Sequence, residues 1–185
     1  MTERFYKGAT MSGYFGVGVE CMKNKLNYGT LFRTANILGA SFLFLIGKRF
    51  RQQCSDTMAS WRHIPTFSYE TFTEFYENMP HDCRLVGVEL TDSATPLEQY
   101  CHPKRACYLL GAEDHGLTAE ALRRCHALLK LRGERSMNVA VAGSIVLYHR
   151  AMCLSPLAVE CTATAANSEN AKAVSENKTR IGKNN

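Results

Sequence analysis

The sequence has no pair of cysteines at C-x-x-C spacing, although it contains eight: Cys21, Cys54, Cys83, Cys101, Cys107, Cys125, Cys153 and Cys161. Thiols scattered through segments that read as strand or helix act as small buried hydrophobes, not as a disulfide framework. Free thiols in a reducing cytoplasm are therefore expected. None of the six histidines stands at zinc-finger spacing to these cysteines, so no metal site is expected. Long hydrophobic runs are also missing. The longest, from Val139 to Tyr148, contains Gly143 and Ser144 and is too short to cross a bilayer, so a soluble protein with no membrane partner is expected. Met1-Thr2-Glu3-Arg4 leads into no apolar segment, and no secretory signal is expected. No G-x-G-x-x-G follows a strand, since Gly13, Gly16 and Gly18 lack that spacing, and there is neither a Walker lysine loop nor a G-x-S-x-G elbow. These absences argue against a dinucleotide fold, a P-loop enzyme and an α/β-hydrolase. There is no internal repeat.

What is present describes one α/β domain. The chain has 185 residues and is 45% hydrophobic, enough for a single core. Its 22 Lys and Arg against 17 Asp and Glu give a net charge of +5, which permits a polyanionic partner without requiring one. Tyr14 to Glu20 reads as a strand despite Gly16 and Gly18. Tyr28 to Leu38 reads as a helix, with Leu31, Ala35 and Leu38 on one face, Asn27 as its cap and Gly39 as its stop. Ser41 to Gly47 is a continuous apolar run, as suits a parallel strand covered on both faces. Strands are expected again at Arg84–Leu90, Ala106–Gly111 and Ala127–Leu131. Helices are expected at Tyr69–Met79, Pro96–Tyr100, Thr118–His126 and Asn138–Met152. This alternation predicts a mostly parallel sheet with helices on both faces. Residues 1–12 read as a loose lead, 13–154 as the domain, and 155–185, without aromatics, as a disordered tail.

In an open α/β sheet, ligands bind beyond the carboxyl ends of the strands. Three polar or glycine-rich segments are expected there. The first is Asn27-Tyr28-Gly29-Thr30-Leu31-Phe32-Arg33-Thr34-Ala35. The second is Leu110-Gly111-Ala112-Glu113-Asp114-His115-Gly116-Leu117. The third runs from Leu131 through Arg132, Gly133, Glu134, Arg135, Ser136, Met137 and Asn138 into a helix of small residues, with Ser136 or Asn138 as its cap. Each taken alone also reads as ordinary capping and turn chemistry. His115, beside two acids, lacks the positioned nucleophile of a triad and reads as a polar loop residue.

Taken together and in this order, the segments resemble the N-x-G-x-x-x-R-T-A, G-x-E-x-x-G-L and S-[LM]-N-V-x-V-A motifs of the SpoU (TrmH-like) branch of the SPOUT RNA methyltransferases. The resemblance covers roughly residues 14–152. It departs at Arg132, where the family often has proline, and in the short loop that follows. The resemblance implies a deep C-terminal trefoil knot, an exception to the rule that chains do not knot. It implies a homodimer with its active site at the subunit interface, and S-adenosylmethionine as cofactor. It implies transfer of a methyl group to a ribose 2′-hydroxyl of RNA, with tRNA favoured over a large ribosomal target. The implied donor contacts are Leu90, Gly111, Ala112, Leu131, Ser136 and Met137, and the implied catalytic group is Asn27, Arg33, Glu113, Ser136 and Asn138. The basic segment with Lys48, Arg49, Arg51, Trp61 and Arg62 is the candidate RNA-docking surface, because no added RNA-binding domain is expected. The competing reading is a non-catalytic RNA-binding module that kept the fold. The five intact catalytic positions weigh against it.

Overall fold

A computed structural model describes residues 13–47 and 64–154. The expected lead, the basic segment with Arg49, Arg51, Trp61 and Arg62, and the expected tail lie outside the described residues. In chain order the elements are β1 (Tyr14–Glu20), α1 (Lys25–Ile37), β2 (Phe42–Ile46), β3 (Thr66–Tyr69), α2 (Phe72–Glu77), β4 (Arg84–Val88) and β5 (Thr95–Pro96). They continue with a 3-10 turn (Leu97–Gln99), β6 (Arg105–Leu110), α3 (Ala119–Arg124), β7 (Ala127–Lys130) and α4 (Val139–Cys153). The strands form one sheet in the order β3-β2-β1-β6-β4-β7-β5, and every pairing between them is parallel.

Helices cover both faces, as expected. One core joins Phe15, Val17 and Val19 of β1, Tyr108 and Leu110 of β6, Leu31 and Ala35 of α1, and Val139, Ala142 and Val146 of α4. The other joins Phe44 and Ile46 of β2, Leu109 of β6, Phe72 and Phe75 of α2, and Ala121 of α3. Strand side chains alternate between faces, so Phe42 and Phe44 point into the second layer while Leu43 and Leu45 point into the first. The two glycines of β1 belong to this arrangement. A Cβ at Gly16 would lie 2.3 Å from the Phe42 ring, and one at Gly18 would lie 2.2 Å from that of Phe44. These glycines let two aromatic rings lie flat on the neighbouring strand, so β1 is no weaker for them.

Three local expectations are corrected. Helix α1 begins earlier than expected: its cap is Asn24, whose Oδ1 accepts the Leu26 N–H (2.9 Å), and Asn27 sits inside the first turn with its side chain released for other partners. The helix expected from Tyr69 begins at Phe72, because Thr66–Tyr69 pairs with β2 as an edge strand. Thr71 then caps α2 by accepting the Glu74 N–H. The helix expected at Pro96–Tyr100 is a 3-10 turn at Leu97–Gln99, and the two residues before it add β5 to the sheet.

Helices α1 and α4 pack side by side at Gly143, where a Cβ would lie 2.5 Å from a Leu31 methyl. At the far end of α4 the buried Arg150 donates to the carbonyls of Pro103 (2.6 Å) and Lys104 (2.9 Å) and lies over the Phe15 ring. Next to it the buried His102 is hydrogen-bonded to the Tyr108 hydroxyl (2.6 Å) and to His149 (2.8 Å). Burial first, then His149 and the Arg150 guanidinium, lower its pKa to about 4. Both ends of α4 are thereby fixed. Gly143→Val should force α1 and α4 apart, costing about 1–3 kcal/mol of stability by overpacking. Urea unfolding measures this, and an unchanged midpoint would show that the contact is slack.

Candidate functional site

The carboxyl ends of β4, β6 and β7 open onto a cavity of about 640 Å³. Parallel pairing brings these ends to one edge of the sheet, so the loops that follow them share one rim. The walls combine apolar groups, among them Val88, Leu110 and Val139, with the carboxylates of Glu89, Glu113 and Asp114. All six residues expected at a donor site, Leu90, Gly111, Ala112, Leu131, Ser136 and Met137, line it. A cavity of this size and mixed lining suits a nucleoside-sized ligand.

The loop after β6 is closed by its own backbone. The Ala112 N–H donates to the Gly116 carbonyl (3.1 Å) and the Gly116 N–H to that of Ala112 (3.0 Å). Gly116 has φ +68°, a conformation that glycine adopts without strain. Gly111 must also be glycine, since a Cβ there would lie 2.1 Å from the Gly116 carbonyl carbon. After β7, Arg132 pairs with Glu98 of the 3-10 turn (2.9 Å), tying the third loop to the segment that carries β5. At its end Asn138 caps α4, its Oδ1 accepting the N–H groups of Ala140 (2.9 Å) and Val141 (3.3 Å).

Asn27 joins all three segments. Its Nδ2 donates to Glu113 Oε1 (2.8 Å), and its Oδ1 accepts from Asn138 Nδ2 (3.0 Å). The same Glu113 accepts the Lys23 N–H at its other oxygen (3.3 Å). Burial works against the charged form of Glu113. The hydrogen bonds from Asn27, its own backbone, Lys23 and Asn24 outweigh it and hold the carboxyl below the usual range. The next residue, Asp114, is paired with the Lys23 ammonium and with His115 (2.7 Å), so the turn following Glu113 carries a charged cluster.

Of the five residues expected in the catalytic group, four meet here. Asn27, Glu113 and Asn138 form one chain of hydrogen bonds, and Ser136 lines the cavity with Glu113. Arg33 does not join them. It stands on the exposed face of α1, outside the cavity lining. His115, expected as a plain loop residue, lines the cavity and holds Asp114. Sequence reasoning did not single out Glu20, Lys23, Asn24 or Glu89. Lys23 and Asn24 precede the first motif, and Asn24 could have been found as an N-cap by residue type.

Asn27→Ala removes two side-chain hydrogen bonds worth about 0.5–1.5 kcal/mol each. The Glu113 carboxyl should then titrate at higher pH than in the unsubstituted protein, as followed by NMR of its side-chain carbon. An unmoved titration would mean that Asn27 does not support the carboxylate.

Comparison with known proteins places this geometry. Residues 15–148 match the sequence profile of the SpoU rRNA Methylase family. A tRNA (guanosine(18)-2′-O)-methyltransferase of Escherichia coli K12 is 24% identical over 128 residues, covering 66% of this chain and 56% of that protein. One from Mus musculus is 24% identical over 131 residues, covering 66% of this chain and 8% of its own length. The chain thus spans about half of the bacterial relative and a small part of the mouse one. Among solved structures, an AdoMet-bound rRNA methyltransferase from Sinorhizobium meliloti superposes with TM-score 0.67 at 26% identity, over 75% of this chain and 56% of that one. A structure described as giving insight into 2-OH methylation of C/U34 on tRNA superposes with TM-score 0.69 at 24% identity, over 77% and 97%. With a profile matched across most of its length and its motif segments hydrogen-bonded to one another beside a single cavity, this chain belongs to the SpoU rRNA methylase family.

Proposed function

We propose that this protein is an S-adenosylmethionine-dependent methyltransferase acting on a ribose 2′-hydroxyl of RNA, with tRNA the favoured substrate. The observation that carries this reading is the Glu113–Asn27–Asn138 chain of hydrogen bonds. It joins residues 86 and 111 positions apart beside one cavity. The relatives' activity as tRNA (guanosine(18)-2′-O)-methyltransferases supports the choice of ribose and of tRNA.

The cavity's chemistry fits the donor: apolar walls for an adenine, and side chains of both charges, among them Glu113, Asp114, Lys130 and Arg135, for its charged amino-acid end. Leu90, Gly111, Ala112, Leu131, Ser136 and Met137 would hold it. When bound, it supplies a methyl group already activated on a sulfonium. What remains for the protein is alignment of the ribose oxygen and support for its developing negative charge. Ser136 lines the cavity, where it can orient the substrate, and Asn27 and Glu113 fix Asn138 at the start of α4. Arg33 is a poor base, since a guanidinium offers only N–H donors and no acceptor. Its role is to grip the RNA and stabilise charge.

Arg33 lies outside its own cavity, so in this reading it serves the site of a second subunit. Homodimer formation is supported by α4, where Val141, Ile145, Tyr148 and Met152 form an exposed stripe at helical spacing. A trefoil knot is supported by strand order. β7 comes last yet lies between β4 and β5, and the connection between those strands is bonded to its end through Lys130 Nζ and the carbonyls of Thr91 (3.2 Å) and Asp92 (3.3 Å). Arg49, Arg51, Trp61 and Arg62 follow β2 in the sequence, and their basic and aromatic chemistry supports their assignment to RNA docking.

Incubation with labelled donor and tRNA, followed by digestion to nucleosides, should place the label on a ribose 2′-oxygen. Label on a base would reject the reading, and RNA binding without any transfer would favour the non-catalytic module. Arg33→Ala should keep donor affinity within about twofold and lower turnover by about 100-fold or more. Undiminished turnover would remove Arg33 from the mechanism.

A further inference from the structure

The loop between β6 and α3 is held from both sides by carboxylates. Strand β6 lies between β1 and β4, and each neighbour presents a glutamate at its carboxyl end: Glu20 closes β1 and Glu89 follows β4. The Leu117 N–H donates to Glu89 Oε2 (2.7 Å). The next amide, of Thr118, donates to Glu20 Oε2 (2.9 Å), and the Thr118 hydroxyl donates to Glu20 Oε1 (2.7 Å). Glu89 is itself braced, its Oε1 accepting the Leu90 N–H (3.1 Å) and its own N–H donating to the Leu129 carbonyl (2.9 Å).

Helix capping does not account for this arrangement. Thr118 already caps α3, its hydroxyl oxygen accepting the Ala121 N–H (3.2 Å). The two glutamates instead take the amides that precede the helix. Charged acceptors make stronger bonds than neutral ones, and among the described residues neither glutamate is in an ion pair. Glu20 is only 2% exposed. Glu89 lines the cavity and presses on Gly116, where a Cβ would lie 2.2 Å from its Oε2. Two glutamates therefore grip one short loop that forms a wall of the cavity.

We propose that Glu20 and Glu89 are paired positioning residues that hold the 111–117 loop in the shape needed for methyl-donor binding, Glu89 from the cavity side and Glu20 from the buried side. This rests on the reading of the cavity as the donor site. The pair acts on donor affinity through Gly111 and Ala112, whose placement depends on the Leu117 and Thr118 anchors.

Glu20 is buried, and its variants risk misfolding, so Glu89 carries the test. Hydrogen exchange of the full chain without ligand should show the 111–118 amides opening about tenfold faster in Glu89→Ala, with α4 unchanged. Calorimetry with S-adenosylhomocysteine should show affinity reduced about 10–100-fold, as for loss of a hydrogen bond to a charged group. The loss should fall more on the KM for the donor than on turnover. Glu89→Gln, which keeps a carbonyl for Leu117, should recover most of the affinity. Unchanged exchange, or faster exchange with unchanged affinity, would overturn the proposal. If the unsubstituted protein binds no S-adenosylhomocysteine, the donor-site reading fails first and the proposal goes with it. If that protein binds and Glu89→Ala binds equally, only the positioning role is lost.

Discussion

The parallel placement of β6 between β1 and β4 is the constraint on which the rest of the molecule depends. Parallel strands send all their carboxyl ends to one edge, so the chain must return by crossovers and every functional loop emerges on the same side. Because β6 is central, the loop that follows it lies within reach of groups at the ends of both neighbours. That loop carries Glu113, and through Glu113 it meets Asn27 at the start of α1. The cavity, the hydrogen-bond chain and the carboxylate pair all follow from this placement.

Packing of α1 against α4 converts the arrangement into a defined geometry. Asn27 lies in the first turn of one helix and Asn138 caps the other. Their contact requires the two helix starts to be level and close. Small residues along the seam allow it: Gly143 accepts Leu31, and the Ser144 hydroxyl meets that of Thr34 (3.2 Å). Gly143 and Ser144 of α4 are therefore explained by close approach to α1, whereas capping explains Asn138.

The charged groups divide by location. On the rim, Lys23, Asp114 and His115 pair with one another in partly exposed positions, where screening keeps such contacts weak. Beneath them, Glu20 and Glu89 accept backbone hydrogen bonds, and Glu113 is held ionised by amides and by Asn27. The rim can therefore change without moving the wall. The buried and half-buried carboxylates cannot, because each satisfies amides that no neighbouring strand reaches.

The period of each element and the chemistry of each loop were legible in the residues alone. Phe42–Ile46 could only be a fully covered strand, since five apolar residues in a row leave no face for water. The three motif segments were legible because their residue types sit at fixed offsets beside apolar runs. The short edge strands β3 and β5 were not, since half-exposed segments of two to four residues carry no periodic signal. Nor was the cap of α1. Asn24 and Asn27 are equally good caps by type, and only the pull of Glu113 and Asn138 on Asn27 decides between them. Glu20 and Glu89 were invisible for the same reason. A glutamate at the end of a strand reads as a solvated terminus until the order of strands in the sheet shows whose amides it faces. Strand order is a property of long-range pairing, and no local pattern encodes it.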